Sequence, residues 1–240
     1  GLSSRAGFTV VTGEIGAGKT TLMRALLEKE DDEITYGLLN NLSCDNNQEL
    51  LMWVSFAFGL EYSNKNHLEL YNAFIDFLID EYANNRRVVL IVDEAQQLNV
   101  ELIEQLRMLS NINSGKHLLL QFVLMGQPEL RDVLQSPSLI QFAQRVSVDY
   151  HLDGLSETDV SRYISHRIGV AGGDPELFSA EAKSLIAEAS RGIPRVINVL
   201  CDSALFYGFS KQAEHIDEGI VRDVIHDKEG GLTPIAALAS

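Results

Sequence analysis

The sequence predicts an α/β fold: a mainly parallel, five-stranded sheet with helices on both sides, followed by a smaller all-helical domain. Three observations carry this. Strand-like apolar runs at 8–12, 34–39, 88–92, 118–125 and 146–150 alternate with stretches of helical spacing, and such alternation builds a parallel sheet. A glycine-rich segment joins the first run directly to a helix. After Tyr150 the strand signal stops, and from about Ser156 onward the chain reads as helix.

The glycine-rich segment, TGEIGAGKTT at 12–21, has the spacing GxxxxGK[ST] through Gly13, Gly18, Lys19 and Thr20. Glycine lets the backbone curl without side-chain clashes, so that its N–H groups point inward at an anion. The helix that follows adds unpaired N–H groups and the positive end of its dipole at the same spot. A cation such as Lys19 is disfavoured in a first helical turn unless an anion offsets it. A phosphate is that anion, so Gly13, Glu14, Ile15, Gly16, Ala17, Gly18, Lys19, Thr20 and Thr21 are the expected nucleotide-binding residues.

Further along, the run LLMWVSFAFGL at 50–60 is far short of the roughly 20 residues a membrane span needs. It predicts a buried helix, with Trp53, Phe56 and Phe58 as core rather than a cofactor platform. The strand at 88–92 ends in the adjacent acids Asp93 and Glu94. Carboxylates at the end of a buried strand need partners, and the carboxyl end of a parallel strand opens onto the ligand crevice. Asp93 with Thr20 is therefore expected to hold Mg2+, directly or through water, and Glu94 to orient and deprotonate an attacking water. Leu102, Ile103, Leu106 and Leu109 share one helical face while Glu101, Glu104 and Arg107 look outward. Ser156-Glu-Thr-Asp159 has the form of an N-cap box, Gly172-Gly-Asp-Pro175 is a break, and helices are predicted at 179–190, 194–207 and 217–226. The predicted organisation is a nucleotide-binding domain over 1–152, a helical lid over 153–228 and a tail or linker over 229–240.

The 240 residues, 45% of them hydrophobic, suffice for a large core. The net charge is -15, and the acid excess covers both parts: 11 basic against 20 acidic side chains over 1–150, 8 against 14 over 151–240. No basic domain is present to grip a phosphate backbone, so DNA is disfavoured, although a basic strip formed only in an oligomer stays open. The two cysteines, Cys44 and Cys201, lack metal-ligand spacing and suit a reducing compartment. The histidines suggest no metal cluster, and no signal peptide is seen. The chain opens on Gly1 and reaches the phosphate loop early, as an excerpt of a longer polypeptide would.

Together, the motifs TGEIGAGKTTL, VVLIVDEAQQL, QFVLMGQPELRDVL, FAQRVSVDYHLDGLS and GIPRVINVLCDSAL resemble the ExeA, or general secretion pathway protein A, family of AAA+ ATPases. The first two say AAA+; DEAQ, GQPEL and GIPRVINVLCD narrow the branch, although transposition ATPases of the TniB type share much of the pattern. The resemblance implies a P-loop NTPase sheet domain with a helical lid, binding ATP and Mg2+ and hydrolysing ATP to ADP and phosphate. It implies three more roles. Gln127, at the end of the fourth strand, is the polar sensor near the γ-phosphate, or else a turn residue before Pro128. Arg145 is the arginine finger acting in trans on a neighbouring subunit's ATP, with Arg131 as its rival. Arg195, after Gly192-Ile-Pro194, is the second sensor that couples nucleotide state to the lid, with Arg191 a weaker neighbour.

On this resemblance the chain is a cytoplasmic motor or switch module, or one peripheral to the inner membrane through its partners. It forms a homo-oligomeric ring or filament and remodels or assembles a cell-envelope secretion or export apparatus through a protein partner. An assembly switch with little turnover and an ATP-gated transposition regulator on DNA are the alternatives. The segment that in such ATPases precedes the phosphate loop and helps hold the adenine is mostly missing here, which leaves base preference open.

Overall fold

The computed structural model describes residues 7–28, 32–40, 47–114, 117–229 and 235. Cys44 and the tail at 230–234 lie outside the described residues. In chain order the elements are β1 (Phe8–Gly13), α1 (Lys19–Leu27), β2 (Ile34–Leu39), α2 (Asn47–Ala57), α3 (His67–Ala83), β3 (Arg87–Val92), α4 (Val100–Leu109), β4 (Asn113–Ser114) and β5 (His117–Leu118). They continue with β6 (Leu120–Gly126), α5 (Glu129–Leu134), α6 (Ile140–Ala143), β7 (Val146–Leu152), α7 (Glu157–Val170), α8 (Ala180–Ser190), α9 (Pro194–Ser210) and α10 (Glu218–Glu229). Short 3-10 turns occupy Ala95–Gln97 and Pro137–Leu139.

Two compact units result: Gly1–Gly13 with Lys19–His151, and Glu14–Gly18 with the chain from Leu152 onward. The first holds the five-stranded sheet, in the order β2-β3-β6-β1-β7. β2 with β3, β3 with β6 and β6 with β1 pair in parallel. β6 is buried along its whole length and β3 along all but Arg87, as strands covered on both faces must be. Their side chains alternate between two cores. Leu90, Val92, Phe122 and Leu124 pack with α3 and α4 residues such as Phe74 and Leu106. Val89, Ile91, Val123 and Met125 pack on the opposite face with Met23 of α1. The register sets Thr12 beside Gly126 and Val92 beside Leu124, so β1, β3 and β6 end at one edge. Gly13, Asp93 and Gln127 emerge there.

Two expectations are corrected. The run at 118–125 is not one strand: β5 forms a two-residue antiparallel ladder with β4, Asn113 opposite Leu118, and the sheet strand starts at Leu120. Nor is α2 a buried helix. It buries Leu50, Leu51 and Val54 but leaves Trp53 45% and Phe56 56% exposed. Those two rings and Tyr62 pack edge to face at the surface. Phe58 does pack against the core, beside Phe74 and Phe77.

In the second unit, α7 to α10 enclose a separate core that includes Ile164, Ile186, Val196, Leu200 and Val221. Ser156 caps α7 by accepting the Asp159 N–H at 3.2 Å. The Asp159 carboxylate accepts the Ser156 hydroxyl at 2.6 Å, in place of the backbone N–H a full capping box would use. Ser179 caps α8, and Pro194 opens α9, where its missing N–H costs nothing. The turn before α9 needs glycine: Gly192 has φ +72, and a Cβ there would lie 2.1 Å from the Leu155 carbonyl oxygen.

Candidate nucleotide-binding site

The phosphate-loop spacing is realised as a strand, a curled loop and a helix. β1 ends at Gly13, the Ala17 N–H donates to the Glu14 carbonyl at 3.1 Å, and α1 begins at Lys19. Gly16 and Gly18 have φ +81 and +107, which L side chains rarely adopt. Lys19 is buried, and its ammonium folds back to donate to the Gly13 carbonyl at 2.6 Å. Glu14, Thr20 and Thr21 are exposed, while Ile15 is half-buried and Ala17 buried.

Asp93 follows β3 and is only 8% exposed. Its backbone N–H donates to the Leu39 carbonyl at 2.8 Å, extending the β2–β3 pairing to the sheet edge. Its carboxylate accepts the Glu94 N–H at 2.9 Å. Burial pushes the Asp93 carboxyl above the ordinary carboxylate range; the Glu94 N–H opposes this, the Glu94 charge adds to it, and the Lys19 ammonium opposes it. Lys19 follows the end of β1 and Asp93 the end of β3, so both stand at the same edge of the sheet. Glu94 is half-buried in the left-handed region, φ 54 and ψ 36.

The arginines have partners of their own. Arg145 is half-buried and donates to the Ser110 hydroxyl at 2.8 Å, with Ser110 itself buried. Arg131 pairs with Asp149 through two hydrogen bonds, 2.9 and 3.2 Å. Arg195 is exposed in the first turn of α9, and its backbone N–H donates to the Gly16 carbonyl at 3.3 Å within the second unit. A Cβ on Gly16 would come within 2.4 Å of the Arg195 Cβ. Arg191 caps α8 in the left-handed conformation, φ 51.

Residues 2–134 match the family model described as the AAA domain. The chain belongs to that family. This AAA chain is 39% identical over 233 residues to General secretion pathway protein A of Aeromonas hydrophila, covering 96% of the chain and 42% of that protein. The resemblance to the ExeA group is thereby borne out. Among solved structures, the ORC2 protein of Aeropyrum pernix, in ADPNP-ADP complexes, superposes with a TM-score of 0.66 at 17% identity, over 94% of this chain and 64% of that one. Cdc6p of Pyrobaculum aerophilum gives 0.69 at 14% identity, over 92% and 60%. At such identities the likeness is one of fold: a P-loop AAA+ sheet domain with a helix-rich C-terminal part. The chain therefore spans less than half of the secretion protein and under two thirds of these solved chains.

Two residues of this AAA chain that lie inside the quoted motifs but were given no role there make bonds at this edge of the sheet. Gln96 donates from Nε2 to Glu94 Oε2 at 2.6 Å, and its Oε1 accepts the Gln127 N–H at 3.1 Å. His151, at the end of β7, bonds through Nδ1 to the buried Thr12 hydroxyl at 2.9 Å, one residue before the phosphate loop. Gln127 is thus tied through its backbone. Among the described residues no group of histidine, cysteine and acidic side chains could hold a metal on its own, and no helix is long and apolar enough to cross a membrane.

Proposed function

We propose that this AAA chain binds ATP with Mg2+ and hydrolyses it to ADP and phosphate. One observation supports the reading: the buried Lys19 ammonium, 2.6 Å from the Gly13 carbonyl oxygen, and the buried Asp93 both stand where β1 and β3 end at the same edge of the sheet. The donor set fits Mg2+. A carboxylate and a hydroxyl, Asp93 and Thr20, are hard oxygen ligands of the kind that ion takes, with water and phosphate oxygens completing it. Bound magnesium would offset phosphate charge as the terminal phosphoryl group transfers. The backbone N–H groups of the loop from Gly13 to Thr21 grip the phosphates, and Lys19 holds the terminal one. Glu94 orients the attacking water and takes its proton. The water oxygen bonds to the terminal phosphorus as the bond to the bridging oxygen breaks, and ADP leaves. Gln127 and Arg195 act as sensors of the terminal phosphate in the same chain. A water nucleophile fits the Asp93-Glu94 pair better than transfer to a second substrate.

We further propose, supported by the likeness to General secretion pathway protein A, that the chain forms a homo-oligomer, ring or filament, and works with a protein partner on a cell-envelope secretion or export apparatus, in the cytoplasm or peripheral to the inner membrane. Arg145 is the finger, supplied in trans. Calorimetry of the folded chain with magnesium and ATP, followed by phosphate release, tests the core of this reading. Binding heat with slow turnover is expected; a folded sample that takes up no nucleotide removes it.

A further inference from the structure

Gln96 sits in the 3-10 turn that follows Glu94, and its two side-chain bonds fix the amide's orientation. A carboxylate only accepts and a backbone N–H only donates, so Nε2 must face Glu94 and Oε1 must face Gln127. β6 lies between β3 and β1 in the sheet. A tie from Glu94 to the end of β6 therefore draws the carboxylate toward the side on which Lys19 stands. Glu94 is only half-buried, and an untethered side chain there would divide its time among rotamers. Gly126 keeps the passage open: a Cβ on it would come within 2.9 Å of Gln96 Oε1 and 2.9 Å of Leu130 Cδ2.

We propose that Gln96 is the positioning residue for Glu94. It holds the base's carboxylate toward the phosphate loop and joins it to the backbone at Gln127, so that the base and the sensor corner are one hydrogen-bonded assembly. The inference rests on the reading of Glu94 as the base.

Steady-state ATP hydrolysis by the full chain tests it, with binding of a non-hydrolysable ATP analogue and magnesium measured separately by calorimetry. Gln96→Met keeps the length of the side chain and removes both bonds. Gln96→Glu keeps an oxygen for the Gln127 N–H but faces Glu94 with a second anion, and it carries the test if the methionine variant does not fold. Both variants are expected to lose about tenfold or more in kcat, the scale of one hydrogen bond to a charged group. KM and the binding heat should stay within about twofold. In a Glu94→Gln background, adding Gln96→Met should cost nothing further, because a residue acting through Glu94 has nothing left to position; a merely structural role would add its own loss. Wild-type kcat in the folded Gln96 variants, a loss confined to KM, or additivity in the double variant overturns the inference. Should Glu94→Gln turn over like the wild type, the base assignment falls and this inference with it. Should Glu94→Gln be inactive while Gln96→Met is fully active, only this inference falls.

Discussion

Lys19 occupies a position that a folded chain alone does not favour. Its charge opposes the dipole of α1, and it is 7% exposed. Lys19→Ala is accordingly expected to weaken ATP binding by about a hundredfold, the scale of losing one buried charged contact. Calorimetry checks this, and the melting temperature should not fall. An ion pair between the buried Glu81 and the exposed Arg86 has a different purpose. The Arg86 guanidinium donates to Glu81 and holds its carboxyl below the ordinary range; burial opposes this, while Thr35 also donates to the carboxylate. A carboxyl with a depressed folded-state pKa contributes stability above its unfolded pKa and loses it as pH falls through the folded value. Glu81→Gln should thus cost stability at neutral pH, and its gap from the wild type should close as pH falls below the ordinary value of 4.5. Denaturant melts of both proteins across that range measure the gap.

Among the elements, α9 depends on the turn that leads into it. Gly192 donates its N–H to the Ser190 hydroxyl at 3.2 Å and offers its carbonyl to the Leu155 N–H at 2.8 Å. A side chain there would be driven into the Leu155 backbone at a positive φ. Gly192→Ala is expected to destabilise the protein by about 1–3 kcal/mol or more, read from its urea midpoint. The element scale also marks what the sequence could tell. Strands β1, β2 and β3 were legible because mostly apolar runs between polar turns have few other solutions, and β7 because Val146, Val148 and Tyr150 alternate with polar residues. The break at Leu119 was not, because only a local antiparallel pairing with Asn113 and Ser114 creates it. α2 misled because Trp53 and Phe56 raise the hydrophobicity of the run without facing the core. At the site, the loop and the Asp93-Glu94 pair were legible because each is contiguous. Gln96 with Gln127, and Thr12 with His151, meet across 31 and 139 residues, and no spacing rule joins them.

For the molecule as a whole, self-association is the quantity to follow. Each copy carries a net charge of -15, so copies repel one another, and the proposed assembly is expected to form at lower protein concentration as salt is added. Arg145 and Arg131 are both engaged within the chain, to Ser110 and Asp149. A finger must leave its partner to reach a neighbour's nucleotide. Turnover per subunit is therefore expected to rise with protein concentration, by about a thousandfold if the gain matches other arginine fingers. Arg145→Ala should flatten that rise while leaving nucleotide binding intact. A rate per subunit that stays constant across the assembly range would take Arg145 out of the chemistry. The chain's one tryptophan bears on the same measurement. With Trp53 45% exposed next to Phe56, its fluorescence is set by water at the α2 surface. Its emission needs no added dye: a blue shift on titration would mean that this face has become covered, and an unchanged spectrum that it stays wet.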